Sequence, residues 1–239
     1  MLNEYIYKRK SVRSYKSERV SDEENEKIKR FAETITPLFP NLKTKFEIVD
    51  RKTAHSIMPW LPPQLIAVYA DEGDDALVNA GFMTQQLELY LESLGLGTCW
   101  VGLGKPTKET KTLEGLRFVI YLAYGYPKGE LYRKSLTEFN RKPLNEISDI
   151  EDKRLECARY APSACNSQPW YFIHSDEKIS VYRSSNIIIG KTPIVYFNNI
   201  DIGIALAHIY LTHESVSFSV DCAAAKKQGY KYIISFQIP

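Results

Sequence analysis

The sequence predicts a mixed fold of the α+β class, assembled from one helix-and-strand pattern written twice. Two observations carry this. Near-copies of a helix-start signal, Val20-Ser21-Asp22-Glu23-Glu24 and Ile147-Ser148-Asp149-Ile150-Glu151, open the two halves. After each come a proline-bearing loop, two strands, a long helix and a final strand, in the same order. The 239 residues, 44% hydrophobic and 25% charged, suffice for one core through both halves and exclude collagen-like, coiled-coil and disordered chains.

Each start is an S-x-x-E box, in which the serine and the glutamate satisfy backbone amides that a helix start leaves unpaired. Ile28, Phe31 and Ile35 then fall at helical spacing in the first half, and Leu155, Ala158 and Arg159 follow the second box. The helices stop at Thr36-Pro37-Leu38-Phe39-Pro40-Asn41 and at Ala161-Pro162-Ser163-Ala164-Cys165-Asn166. Strands are expected at Lys45–Val49 and Trp170–His174, and again at Gln64–Tyr69 and Pro193–Phe197. Ala80, Met83, Leu87, Leu91 and Leu94 form the stripe of a helix that Gly95 ends. Its counterpart carries Ile202, Leu206 and Ile209 but is apolar nearly all round, which predicts a buried central helix. The closing strands are Leu116–Ala123 and Tyr230–Ile238. Gly125 through Asn145, rich in Gly, Pro and charge, reads as the linker between halves 1–140 and 141–239.

Thirty-one Lys and Arg against 29 Asp and Glu leave a net charge of +2, too small a basic excess to argue for nucleic acid. No apolar run is long enough for a membrane span, and Met1–Tyr5 lacks a signal-peptide core, so the cytoplasm is expected. Four dispersed cysteines and four dispersed histidines suggest free thiols in a reducing compartment and no metal site.

The halves differ where chemistry would sit. Lys8-Arg9-Lys10-Ser11-Val12-Arg13-Ser14-Tyr15 places four cations and two serine hydroxyls just before the first helix, a set able to cradle a phosphate; a solvated basic strand is the alternative. Ala161 through Trp170 is a dense run of small, amide and hydroxyl groups that can meet the polar edge of a planar heterocycle, or merely make local turns. Each half holds one piece and lacks the other, which suggests one composite site.

At these residues the chain resembles the FMN-dependent nitroreductase family. The motifs are Arg9-Lys10-Ser11-Val12-Arg13-Ser14-Tyr15, the Ala161–Trp170 loop, Gly95-Leu96-Gly97-Thr98-Cys99-Trp100-Val101-Gly102, Gly125-Tyr126-Pro127 and Arg141-Lys142-Pro143-Leu144. Ordinary members are homodimers in which each subunit carries every motif. Here the motifs are divided, similar to a single-chain subgroup in which two half-domains imitate the dimer. The resemblance implies a nitroreductase-like intramolecular pseudo-dimer with one FMN, monomeric or weakly homodimeric.

It further implies that Arg9, Ser11, Arg13 and Arg141 hold the phosphate, with Lys10 at the phosphate or the ring. Pro162, Ser163, Ala164, Asn166 and Gln168 would contact the ring from one side, and Trp100, Val101, Gly102 and Leu103 would pass its reactive nitrogen. No side chain need act as acid, base or nucleophile, because the flavin would carry hydride from NAD(P)H to a flat, electron-poor acceptor such as a nitroaromatic or quinone. A flavin-storing module, or a degenerate relative without turnover, stays open. Cys99 and Cys165 read as packing and loop residues. Trp60, in Ile57-Met58-Pro59-Trp60-Leu61-Pro62-Pro63, either covers the ring or plugs a loop.

Overall fold

A computed structural model describes residues 1–56, 58–189 and 192–238. Its principal elements are α1 (Asp22–Thr34), β1 (Thr44–Asp50), β2 (Gln64–Ala70), α2 (Asp74–Ser93), β3 (Gly97–Val101) and β4 (Leu116–Gly125). After the connecting segment come β5 (Trp170–Ser175), β6 (Lys178–Ser184), α3 (Val195–Thr212), β7 (Ser217–Ser219) and β8 (Tyr230–Gln237).

The first box does what the sequence predicts. Ser21 Oγ accepts from the Glu24 amide at 3.2 Å, and the Ser21 amide donates to Glu24 Oε2 at 3.3 Å, so both sides of the capping box are made. The second box does not open a helix. Ser148 is extended and bridges Phe172, its hydroxyl buried without a partner among the described residues, while Asp149 accepts from the His174 amide. Asp152 caps the following Lys153–Leu155 turn instead, and only one helical turn, Glu156–Arg159, follows. A side chain that can cap is free to serve a neighbouring strand, and here the strand wins.

The second strand of the second half is also displaced. Ile194 through Phe197 belong to the start of α3, and β6 supplies the strand. An apolar run that continues into 18 helical residues cannot be divided by periodicity alone. β3, which forms immediately after the Gly95 stop, went unpredicted. That stop is a Schellman close: Gly95, at φ +80°, donates to Glu92 O at 3.1 Å and Leu96 donates to Leu91 O at 3.1 Å.

The two larger sheets are antiparallel and their main paths have one order: β1-β2-β4-β3 and β5-β6-β8-β7, with a long helix after the second strand of each. Along β2 every residue is buried. Ile66, Val68 and Ala70 face the helices, and Leu65, Ala67 and Tyr69 pack with Val12, Tyr15, Val101 and Tyr121. The helix-side core runs without a break into the second sheet through Phe172, Val181 and Phe236.

Helices α2 and α3 pack at the centre, as the all-round apolarity of α3 predicts. Their contact is reciprocal: a Cβ on Gly81 would lie 2.1 Å from Ile200 O, and one on Gly203 would lie 2.0 Å from Val78 O. Two residues before each glycine a polar side chain holds the loop of its own half. Asn79 Oδ1 accepts from the Leu38 and Phe39 amides, both at 2.9 Å, and Asp201 Oδ1 accepts from the Ala164 amide at 3.0 Å. Among the described residues no helix is long and apolar enough to cross a membrane.

Candidate functional site

The N-terminal segment reaches its place by lying along β3. The Val12 amide donates to Thr98 O at 2.8 Å and Ser11 bridges Thr98, an approach possible because residue 97 is glycine. A Cβ there would stand 2.7 Å from Val12 Cγ2. From the other half comes the loop after Tyr160, in which Cys165, Asn166 and Gln168 adopt φ of 52°, 56° and 48°. Left-handed backbone at non-glycine residues costs energy and persists where surrounding bonds fix it. Those bonds are present. Gln168 N donates to Ser163 Oγ (2.9 Å), Lys142 N to Gln168 Oε1 (2.8 Å), Arg141 Nη1 to Asn166 Oδ1 (2.6 Å) and Arg141 Nε to Ala161 O (3.1 Å).

These two segments bound one cavity of about 540 Å³, a size suited to a small ligand or cofactor. Of the residues singled out in sequence, Ser11, Arg13, Trp100, Val101, Gly102, Leu103, Pro162, Ser163 and Ala164 line it, together with Trp60, Cys99 and Cys165. Ile57, beside Met58 and Trp60, lies outside the described residues. Asn166 and Gln168 face the 140–142 segment rather than the cavity, their amide groups held by Arg141, the Asn140 carbonyl and the Lys142 amide. Lys10 is half-buried outside the cavity wall.

Sequence reasoning missed the far wall, made by Phe197, Ile200, Asp201 and Ile204 of α3. Asp201 is 3% exposed, and its Oδ2 has no hydrogen-bond partner among the described residues. Burial pushes its carboxyl well above the usual range, against the Ala164 amide bond that lowers it. A lone acid in an apolar helix was the available signal.

Arg9 and Arg141 stand off the cavity wall in a cluster of guanidiniums. Arg9 is fully buried, pairs with Glu88 at 3.3 Å, reaches Ser11 Oγ at 3.3 Å and leaves Nε unpartnered among the described residues. Burial, then the charges of Arg9, Arg133 and Arg159, bring Arg141 down to about 10. Arg133, from the linker, went unnoticed in sequence; it donates to Arg9 O and Glu138 O. Both Arg133 and Arg141 lean on the Phe139 ring. Neither has a carboxylate partner among the described residues, so positive charge gathers here with Glu88 the one acid paired to it among those residues.

Behind Arg9 lies a buried acid pair. Thr98 Oγ1 is 2.9 Å from both Glu88 Oε1 and Glu92 Oε1. One hydroxyl proton cannot serve two carboxylates, so one acid is protonated. Burial pushes Glu92 up to about 8, which makes it the proton holder, while Glu88 pairs with Arg9 at 3.3 Å.

The family profile described as "Putative TM nitroreductase" matches residues 1–213. The chain belongs to the nitroreductase family. Among solved structures, one from Thermotoga maritima, described as a "putative nitroreductase", is 22% identical; the match covers 99% of this chain and 92% of that one with a TM-score of 0.65, so the two share a fold. A nitroreductase family protein from Clostridium difficile 630 is 21% identical over 62% of this chain and 95% of its own, TM-score 0.48. A protein from Clostridium difficile R20291 described as an FMN-dependent nitroreductase is 21% identical over 59% of this chain and 95% of its own, TM-score 0.46. No curated protein matches. For this nitroreductase-family chain, the motifs that carry the resemblance sit in the elements that wall the cavity or brace them.

Proposed function

We propose that the chain is an FMN-dependent oxidoreductase that takes hydride from NAD(P)H and delivers it to a nitroaromatic, quinone or similar flat, electron-poor acceptor. Its two halves, 1–140 and 141–239, form an intramolecular pseudo-dimer with one complete site per chain, monomeric or weakly homodimeric. The observation that carries the reading is the meeting of the 9–13 segment and the 161–168 loop, from opposite halves, around one cavity. Supporting the pseudo-dimer are the equal strand orders, the Asn79-x-Gly81 and Asp201-x-Gly203 pairs, and the reciprocal helix contact.

The residues present fit FMN. Arg9, Arg133 and Arg141, with Ser11, form a donor set lacking enough carboxylate to balance it, which suits a phosphate dianion. Trp100, Phe197, Ile200 and Ile204 offer apolar faces for a flat ring, and Ser11, Arg13, Ser163 and Asp201 offer a few polar groups. When bound, FMN supplies the hydride-accepting and hydride-donating chemistry. Arg13, at the cavity edge, is the cation placed to favour negative charge on a reduced ring. Asp201 fixes the loop through Ala164. The apolar α3 wall excludes water.

The test is anaerobic stopped-flow on FMN-loaded protein. NADH or NADPH should bleach the flavin absorbance, and a nitroaromatic or quinone should restore it. Flavin that stays oxidised with both reductants overturns the oxidoreductase reading.

A further inference from the structure

We propose that a second groove, adjoining the cavity across Trp60, is an anion subsite for a phosphate group of the nicotinamide dinucleotide. The inference rests on the proposed function and adds the place where the reductant is held. Arg13 and Trp60 line both spaces, the guanidinium 5.9 Å from the ring centroid. The groove encloses about 350 Å³ and gathers four cations, Arg13, Lys16, Arg51 and Lys128, with no Asp or Glu among its described lining residues. In a chain whose net charge is only +2, four cations on one groove without an acid are a marked local excess.

The groove is built by backbone bonds. Lys128 N donates to Ser14 O at 3.0 Å and Lys16 N to Tyr126 O at 2.9 Å, tying residues 14–16 to 126–128, and Arg51 N donates to Pro63 O at 3.0 Å, tying 51 to 63. The cations keep capacity for a ligand. Among the described residues Lys16 pairs only with the exposed Glu18, at 3.6 Å, and Arg51 donates to the Leu61 carbonyl at 3.1 Å. Arg13 and Lys128 have no carboxylate partner among the described residues. Arginine forks and flexible ammonium groups together are the donor set that phosphate selects. A dinucleotide with its nicotinamide in the cavity carries its phosphates away from the ring, and the Trp60 edge leads into this groove.

Calorimetric titration of the purified full chain tests this with adenosine 2′,5′-bisphosphate, adenosine 5′-diphosphate and adenosine. At least one phosphorylated probe should bind and adenosine should not. Lys16→Gln with Lys128→Gln should weaken that binding tenfold or more while leaving FMN affinity unchanged. Binding of the bisphosphate alone identifies the 2′-phosphate and predicts preference for NADPH; equal binding of the diphosphate identifies the pyrophosphate. In turnover, the double variant should raise KM for the reductant tenfold with kcat unchanged. Failure of both phosphorylated probes to bind at millimolar concentration, or affinities unaltered by the double substitution, overturns the subsite. FMN binding and flavin reduction, measured separately, report on the proposed function itself.

Discussion

Gly203→Ala sets local propensity against packing. In an exposed helix the change would stabilise by about 1 kcal/mol, because alanine is the better helix former. At this position the new methyl would sit 2.0 Å from Val78 O and 2.6 Å from Phe82 N. Ordinary carbon–oxygen contacts lie near 3.3–3.6 Å. The opposing atoms are backbone inside α2 and cannot rotate aside, so the helices must part by roughly 1 Å or more. A gap of that size forfeits about a quarter to a half of the dispersion well for each contact along the seam. With overpacking costs of about 1–3 kcal/mol as a guide, we expect a net loss of about 2–4 kcal/mol. For a chain of this size that lowers Tm by roughly 5–15 °C. Thermal and urea unfolding followed by circular dichroism measure it. Gly81→Ala should behave alike, and the double variant should cost less than the sum, since parted helices admit the second methyl more readily. A Gly203→Ala protein as stable as the parent, or more so, refutes the close reciprocal contact.

Two further predictions concern buried acids. Glu92 titrates near 8 in the fold against an ordinary 4.5, so its contribution is fully present below pH 4.5 and lost as pH rises through about 8. Each pH unit in that window is worth about 1.4 kcal/mol. Glu92→Gln keeps a donor to Thr98 without the charge and should be more stable than the parent by about 3–5 kcal/mol at pH 8.5, with little difference at pH 4.5; parallel urea midpoints at both pH values would contradict the protonated pair. Asp201→Asn reproduces the chemistry of Asn79 and should unfold within about 1 kcal/mol of the parent at pH 7, whereas Asp201→Ala strands the Ala164 amide and should cost about 1–3 kcal/mol. Equal losses in the two variants would mean that the hydrogen bond to the loop is not what Asp201 contributes.

Where local chemistry and tertiary demand agree, the fold was legible from sequence. The Ser21 box, the Gly95 stop and the apolarity of α3 are each settled within a turn or two of chain, and the structure follows them. The duplicate box at Ser148 was misleading because its residues serve β5 instead of a helix. β6 alternates only over Lys178-Ile179-Ser180-Val181 and is buried along its middle, so the longer apolar run after it drew the strand assignment. Within the site, segments were easier to recognise than side-chain directions. Pro162 to Cys165 border the cavity, whereas Asn166 and Gln168 turn back to residues 140–142, a choice made by contacts far along the chain. Arg133 and Asp201 carry no local signature of their own and gain significance only beside Arg141 and Ala164.

The most direct test is equilibrium titration of the chain with FMN and with riboflavin, which lacks the phosphate, in parent and Arg133→Ala proteins. FMN should bind the parent at least tenfold more tightly than riboflavin. Loss of one charged hydrogen bond, about 1.5–3 kcal/mol, should weaken FMN by roughly 10- to 150-fold and leave riboflavin unchanged. FMN that does not bind, or that binds parent and variant with the same affinity as riboflavin, contradicts a flavin phosphate seated on the arginine cluster.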